Sequence, residues 1–599
     1  MIIVGISALF HDSACAVLAD GQLVSAAHEE RFTRRRFDRS MPVNAFRACL
    51  LAAGLTVADI DYIGYYEDPV AKLARQLWMG LPGSTATAAV ELDWTGNGVP
   101  RLHNESLIQL DAERPYREIR ELLGFDGPVI TAAHHESHAA SAFYCSGFPD
   151  SALFTADAVG EWTTTSYGRA DSGGLELLEE VRYPHSLGIL YSALTSYLGF
   201  EVNSDEYKVM ALASAGKPRF AETLRDVFKD LPGGQFELNL EYFSLGRGDK
   251  MYSPSLVGLL GRAPRQPADD VDPFHEDLAS SLQTVLEELL LNKIRHLHSL
   301  VGGERLGYAG GVALNCVANS HIRRHGPYRD IFIQPAAGDA GGAIGAAALA
   351  HHRVAGTFVG RRLADARLGP TYELGHIQTS LDQAGVAYAD FTGREPDLLR
   401  AAVDLLVDGA VLGWFQGGME FGPRALGARS ILADPRDARM RDHINALVKK
   451  REAFRPFAPA VPVERCAEFF EWATPSPFML EIAQVRDGAN LPAITHVDGS
   501  ARLQTVDRSV DPRFHGLLVE FGRATGYPIL LNTSFNMRGE PIVCDPADAL
   551  ACFVRCQLDA LVLGDLIIHK RDVPPAWAVA EAAVAYQPPS VSSDLYTFF

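Results

Sequence analysis

The sequence predicts a mixed α/β protein of more than one domain, on three observations. The chain has 599 residues, several times what one hydrophobic core organises. Two sets of three short β-type runs stand far apart, at 2–8, 14–19 and 22–27 and again at 151–157, 163–169 and 175–181. After residue 300, apolar strands alternate with glycine turns and helix-period segments.

Taken in order, IIVGISA is the first strand, and ACAVLA and QLVSAA are joined by Asp20-Gly21, a two-residue hairpin signal. A helix follows from Pro42 to about Ala53. The second set repeats the strand-turn-strand pattern with glycine-bearing turns, and 276–300 has helical period. Then come the strand LGYAG (306–310), a helix from Asn315, the strand IFIQ (331–334) and a small-residue helix beginning near Gly341. A sheet pattern used twice, each time with βα units, predicts over 1–355 the duplicated fold of actin, sugar kinases and heat-shock ATPases, with nucleotide between the lobes. Periodicity fades over 352–375, which places a linker at 356–385. Helices and strands restart over 386–570 as a second α/β domain, and 571–599, rich in Pro, Ala, Val and Ser, reads as an extended tail.

Composition narrows the function classes. Apolar residues make up 47% and charged ones 21%, which excludes a disordered or fibrous chain. A net charge of −20 argues against a protein-wide attraction to nucleic acid or anionic lipid. The eight cysteines are spread without a C-x-x-C pair and read as reduced thiols. His11 and Asp12 interrupt the apolar start before the first basic residue, Arg31, and no apolar stretch reaches spanning length, so a cytoplasmic protein with no membrane partner is expected.

Three stretches carry chemistry. TAAHHESHAASA (131–142) sets His134 and His138 four apart, on one face of a helix, a spacing that suits a divalent metal and that also arises by chance. Asp157 and Asp339 each stand where a strand ends in a glycine-bearing turn; with the two histidines they make a donor set for Fe(II), Zn or Mn, while each alone is an ordinary cap or turn residue. Gly310-Gly311, between a strand and a helix, allows close approach of backbone to a planar or phosphate ligand, and Asn315 and Asn319 recur one helical turn apart, Asn315 also being a natural N-cap. Over 424–455, nine Lys and Arg face four acids, an anion site or a solvated basic face. Arginines beside Gly and Pro turns (GPRALG, FRPF) favour the anion site, and HVDGSARLQTV (496–506) and LNTSFNMRGEPIV (531–543) add Arg502 and Ser534.

Together HDSACAV (11–17), HEERFTRRR (28–36), HHESH (134–138), GGVALNCVAN (310–319), GDAGGAIGAA (338–347), FGPRALGARSILADPR (421–436), KKREAFRPFAP (449–459), DGSARLQTV (498–506) and NTSFNMRGEPIV (532–543) resemble the antibiotic and nodulation-type O-carbamoyltransferases, in order and from the first strand to about residue 570. The resemblance implies an N-terminal domain similar to tRNA threonylcarbamoyl transferase, of actin-like fold, and a C-terminal domain similar to threonylcarbamoyladenylate synthase, a YrdC-like α/β fold. It implies ATP with Mg²⁺ and carbamoyl phosphate as co-substrates. Carbamoyl phosphate is hydrolysed to carbamate in the C-terminal domain, carbamate attacks the α-phosphorus of ATP, and the carbamoyladenylate passes to the N-terminal domain, where a hydroxyl of a small natural product takes the carbamoyl group and AMP leaves.

In these terms His134, His138, Asp157 and Asp339 are expected to hold the metal, Fe(II) in this family, and Gly310, Gly311, Asn315 and Asn319 the adenosine. Lys449, Arg455, Arg502 and Ser534, with Arg424 in support, are expected to bind carbamoyl phosphate. His11, beside Asp12, is the candidate to orient or deprotonate the acceptor hydroxyl as a neutral imidazole. One departure stands out: where the family has Arg-x-Lys-His, this chain has Arg34-Arg35-Arg36-Phe37. The acceptor is not legible; segments 68–105 and 200–275 are the expected specificity insertions, and a homodimer stays open. The rival readings are a tRNA threonylcarbamoyl-type modification enzyme, against which the charge counts, and an actin-fold small-molecule kinase, which leaves the arginine cluster without a role.

Overall fold

The computed structural model describes residues 1–79, 110–245, 250–358, 360–448 and 455–577. Most of the first expected specificity segment (80–105) and most of the expected tail (578–599) lie outside the described residues.

The first sheet holds β1 (Ile2–Ser7), β2 (Ala14–Ala19), β3 (Gln22–His28), β4 (Tyr62–Tyr65) and β5 (Val129–Thr131) in the order β3-β2-β1-β4-β5. β1 to β3 run antiparallel, and β4 and β5 run parallel to β1. The Asp20-Gly21 turn joins β2 to β3 with both φ angles positive, the twist a two-residue hairpin needs. The second sheet repeats this plan with β6 (Asp150–Ala156), β7 (Thr163–Asp171), β8 (Gly174–Arg182), β11 (Arg305–Ala309) and β12 (Asp330–Ile333) in the order β8-β7-β6-β11-β12. Between its two parts come a small ribbon, β9 (Phe228–Asp230) and β10 (Phe236–Leu238), and the long helix Pro273–Val301, capped by Asp272. The same strand order with the same directions in both halves is the duplicated actin-like fold.

Each half ends in a helix that follows its last strand: His134–Ser146 after β5, and Asp339–Ala355 after β12. These two helices cross in the middle of the molecule, where the run DAGGAIGAAALA keeps the second one thin. At Gly345 the crossing is tightest: a Cβ there would lie 1.8 Å from the Ser137 carbonyl oxygen. Gly345→Ala will therefore push the helices apart, costing about 1–3 kcal/mol of stability. A fall in melting temperature accompanied by weaker binding of divalent metal would show it, because Ser137 sits between His134 and His138.

The C-terminal domain is one mixed sheet of eight strands, β13 (Ala389–Asp390), β14 (Leu412–Phe415), β15 (Arg429–Ala433), β16 (Ala458–Pro462), β19 (Gln504–Val506), β20 (Leu530–Ser534), β21 (Ala560–Leu563) and β22 (Leu566–His569), ordered β13-β22-β21-β14-β15-β20-β16-β19. A ribbon of β17 (Ile482–Gln484) and β18 (Ser500–Arg502) stands beside it. Helices Glu395–Val407 and Pro512–Thr525 bury Leu398, Leu406, Phe514, Leu517 and Phe521 in one core, and Pro546–Arg555 buries Ala549 and Phe553 in another. This is the α/β domain that the resemblance to threonylcarbamoyladenylate synthase implies.

The expected linker 356–385 is corrected in two respects. Leu374–Ala384 is a helix with Ile377 and Leu381 in the C-terminal core, since a helix with an apolar stripe gains by burying it. The residues before it are tied down by backbone bonds, Arg361 N to Tyr144 O (2.6 Å), Leu363 N to Cys145 O (2.8 Å) and Gly369 N to Met419 O (2.9 Å). All eight cysteines are buried and none forms a disulfide, as expected of reduced thiols. No helix among the described residues is long and apolar enough to cross a membrane.

Candidate functional site

His134 and His138 occupy the first turns of helix His134–Ser146, Asp157 follows β6, and Asp339 opens helix Asp339–Ala355. Their ligand atoms all lie within 4.8 Å of one another, and all four residues are buried or nearly so. His134 Nε2 and His138 Nε2 are 3.0 Å apart, and Asp157 Oδ2 lies 2.9 Å from His138 Nε2 and 3.7 Å from His134 Nε2. Asp339 Oδ1 is 3.7 Å from His134 Nε2 and 3.9 Å from His138 Nε2. Burial opposes charge on His134, but Asp339 and Asp157 outweigh it and push the imidazole up to about 9; burial raises the Asp339 carboxyl. Asp339 Oδ2 is buried without a hydrogen-bond donor, an expensive state for carboxylate unless a cation meets it. Two imidazoles and two carboxylates converging on one point fit a divalent transition metal. The neighbouring His135 points elsewhere: its Nδ1 is 2.6 Å from Thr155 Oγ1, and burial together with His134 and His138 keeps it well below the usual histidine range.

The site opens into a cavity of about 1540 Å³ whose walls come from both domains. The N-terminal domain contributes His11, Asp12, Asp157, Asp339, Gly311 and Asn315 to its wall. The C-terminal domain contributes the arginine end, with Arg424, Arg455, Arg502 and Ser534. Lys449 lies outside the described residues.

The arginine end differs from the even basic patch that its charge count suggests. Arg429 is fully buried under Phe415, 3.5 Å from the ring centroid, and gives its donors to the carbonyls of Gln416, Ala428 and Cys544. Arg436, Arg439 and Arg441 pair with Asp434, Asp437 and Asp442. Arg424 and Arg502 instead face the cavity with buried Nε atoms that have no partner, and Arg455 lies over the Tyr207 ring at 4.7 Å. Burial, then the charges of Arg424 and Arg455, push Arg502 down to about 9. The guanidinium groups of Arg424 and Arg502 meet an anion at Nε without having to leave another partner there. The loop that carries Arg424 is held by Glu420, whose Oε1 accepts from the backbone N–H groups of Leu426 (2.8 Å), Ala428 (2.7 Å) and Arg429 (3.1 Å).

Two of the adenosine candidates are corrected. Asn319 is 1% exposed, is absent from the cavity wall, and donates from Nδ2 to the carbonyls of Ala313 (2.8 Å) and Leu480 (3.0 Å), so it ties the domains together. Gly310, at φ 96°, is a glycine because a Cβ there would lie 2.2 Å from the Ala156 carbonyl oxygen, which is packing against β6 and not ligand contact. Asn315 does reach the cavity, but Oδ1 caps Ala318 N (3.0 Å) and its amide pairs with Gln283.

His11 also differs from its expected state. Nδ1 is 3.4 Å from Asp12 Oδ2 and Nε2 is 3.1 Å from the Asn203 carbonyl oxygen. Burial by itself lowers the imidazole, yet Asp12 outweighs it and holds His11 up at about 9, while Asp12 is held below its usual range. At neutral pH His11 is an imidazolium, a donor, and the neutral-base role is withdrawn. A raised histidine and a lowered aspartate stabilise the fold between them: the Asp12 contribution fades as pH falls through the acid range, and the His11 contribution is complete below the unfolded value of 6.5 and fades as pH rises through about 9. The stability gap between the wild type and His11→Gln, measured by denaturant titration, should be widest in mildly acid solution just below pH 6.5 and shrink as pH rises toward 9.

Sequence reasoning missed His496, which opens the quoted HVDGS motif. It lines the arginine end, with Nδ1 3.4 Å from Ser500 Oγ and a buried Nε2 without a partner. Burial, with Arg502 adding and Asp498 opposing, pushes it down to about 4, so it is neutral beside the arginines.

With this geometry in view, the comparisons fall into place. The family model "Carbamoyltransferase N-terminus" matches residues 2–348 and "Carbamoyltransferase C-terminus" matches 403–570. An uncharacterised protein of Synechocystis sp. is 41% identical over 96% of this chain and 97% of its own length. The nodulation protein NolNO of Sinorhizobium fredii is 38% identical over 94% of this chain and 80% of its own, and the nodulation protein NolO of Bradyrhizobium diazoefficiens 41% over 77% and 82%. Matched from β1 to β22 by both halves of one family's description, the chain belongs to the carbamoyltransferase family of enzymes.

Proposed function

We propose that this enzyme is an ATP-dependent O-carbamoyltransferase that moves the carbamoyl group of carbamoyl phosphate, through carbamoyladenylate, to a hydroxyl of a small natural product. The observation that carries the reading is one cavity lined both by the carboxylates of a metal-type donor set and by Arg424 and Arg502, whose buried Nε atoms have no partner. At the arginine end, Arg424, Arg455 and Arg502, with Ser534 and neutral His496, bind the phosphate of carbamoyl phosphate. Water releases carbamate and inorganic phosphate there; a carbamate oxygen then bonds to the α-phosphorus of ATP, brought in as its Mg²⁺ complex, and pyrophosphate leaves.

At the other end, His134, His138, Asp157 and Asp339 would hold a divalent metal, Fe(II) in our reading, which supplies Lewis acidity when bound. The first turns of two helices, His134–Ser146 and Asp339–Ala355, bring their positive ends to this point, which favours the phosphate of an adenylate. Gly311 leaves the backbone bare next to Asp157, and the positive charge of His11 at the cavity wall attracts the acceptor or the carbamoyl oxygen. The acceptor oxygen bonds to the carbamoyl carbon as its proton passes to the departing phosphate oxygen, the bond to the adenylate oxygen breaks, and AMP leaves. The cavity at His11 takes a small molecule, and we place the protein in the cytoplasm.

The test is the release of pyrophosphate and AMP from ATP and Mg²⁺ by the purified protein, with and without carbamoyl phosphate. Pyrophosphate that depends on carbamoyl phosphate supports the reading. ADP as the product, or indifference to carbamoyl phosphate, overturns it in favour of the kinase.

A further inference from the structure

Among the described residues, the segment 28–37 touches both ends of the cavity and both domains. It starts at the end of β3 with His28, which is 4% exposed and whose Nε2 accepts from Gly422 N (3.1 Å). Arg31, 1% exposed, donates from Nη2 to Gly422 O (2.7 Å). Both backbone groups of Gly422 are thus bound by the N-terminal domain, two residues before Arg424. Gly422 has φ 123°, and a Cβ on it would lie 3.1 Å from the Pro335 carbonyl oxygen, so the loop is also pressed against the turn that leads to Asp339.

Arg34 repeats the device on a second loop. It donates to Ile542 O (2.7 Å) and Pro541 O (2.9 Å) and lies 3.4 Å from Asp548, at the end of the stretch that begins with Ser534. Beyond it, Arg36 and Phe37 reach the cavity wall, with the Arg36 guanidinium 4.5 Å from the Phe37 ring centroid and the Phe37 ring 4.9 Å from that of His11. Glu30 Oε2 fixes this end by accepting from Phe37 N (2.9 Å). A positive side chain spent on a neutral carbonyl of another domain gains little as an ion, and Arg31 and Arg34 doing so within four positions, with His28 accepting from the same Gly422, have a geometric purpose: these backbone groups mark where the loops must stand.

We propose that His28, Arg31 and Arg34 are positioning residues that set the anion cradle from the opposite domain, holding the loops of Arg424 and Ser534 in place. The inference rests on the reading that this cradle binds carbamoyl phosphate. None of the three needs to touch that substrate; each acts through a backbone group of the loop it holds.

The test uses the full-length protein and carbamoyl phosphate-dependent pyrophosphate release, resolved into kcat and KM for carbamoyl phosphate. Arg34 is partly exposed, so Arg34→Ala should fold and raise KM for carbamoyl phosphate roughly tenfold or more, the scale of losing two charge-assisted hydrogen bonds, with KM for ATP little changed. Arg34→Lys, which keeps one donor, should recover part of the loss. At the first loop His28→Gln keeps an acceptor for Gly422 N and should hold KM near the wild-type value, whereas His28→Leu, of similar bulk, should raise it. A fall in kcat at unchanged KM, equal KM for the Gln and Leu variants, or no effect of Arg34→Ala would overturn the inference. Arg424→Ala separates the two layers: an unchanged KM there removes the cradle reading itself, while a raised KM beside a neutral Arg34→Ala removes only the positioning role.

Discussion

Replacing His138 by alanine will abolish carbamoyl transfer while leaving pyrophosphate release from ATP within about twofold of the wild type. The imidazole is 2.9 Å from Asp157 and 3.0 Å from His134, at the centre of the donor set, and 1% exposed, so no other side chain replaces it. Without it three donors remain, and metal content measured on the purified variant should fall well below one ion per chain. The loss in transfer should be on the order of 10³-fold, the scale of losing Lewis-acid charge stabilisation. Asp157→Asn should behave alike. Unchanged transfer in a metal-depleted His138→Ala would sink the assignment, and loss of pyrophosphate release as well would argue that the two ends of the cavity are one site.

Arg502→Ala should do the reverse. Carbamoyl phosphate-dependent pyrophosphate release should drop by roughly 10²–10³-fold, as when a preorganised donor is removed from a developing charge. The accompanying signature is thermal. Burial, then the like charges of Arg424 and Arg455, hold Arg502 down, so removing it relieves repulsion and the melting temperature should stay level or rise. A structural arginine behaves oppositely. Arg429, whose donors are spent on carbonyls, would be lost at a large cost in stability, of about 3–5 kcal/mol for breaking a buried charged network. Activity falling together with stability in Arg502→Ala would put it in the class of Arg429 and count against the cradle.

What the sequence disclosed and what it withheld follows from the range of the interactions. Asp20-Gly21 announces its hairpin because a two-residue turn is decided by those two residues. His134 and His138 announce a shared face because helical period is local, and the small-residue run after Asp339 announces a thin helix. The basic stretch 424–455 misled because charge counted along a chain ignores partners: Arg436 finds Asp434 two residues away, and Arg429 finds carbonyls as distant as that of Cys544. Asn319 looked like a ligand because nothing local reveals that the Leu480 carbonyl waits in the other domain. His11 lines the cavity, and its charge is not legible in the sequence, since its proton is held by its neighbour Asp12 within a buried setting. His28, Arg31 and Glu420 were invisible as positioning groups for the same reason, each being defined by a loop hundreds of residues away or by backbone groups that only the folded loop converges.

The repeated strand order has one more consequence, for how the two halves move. His134 and His138 stand on the closing helix of the first half, whereas Asp157 and Asp339 belong to the second, one from its hairpin and one from its closing helix. The donor set is therefore divided evenly across the boundary between the halves. Any sliding of one half against the other separates imidazoles from carboxylates, and no rearrangement within a single half can bring them back. Occupancy of this point and closure of the halves are then a single equilibrium seen from two sides: an ion held by all four donors latches the halves shut, and whatever pries them apart loosens the ion by the same free energy.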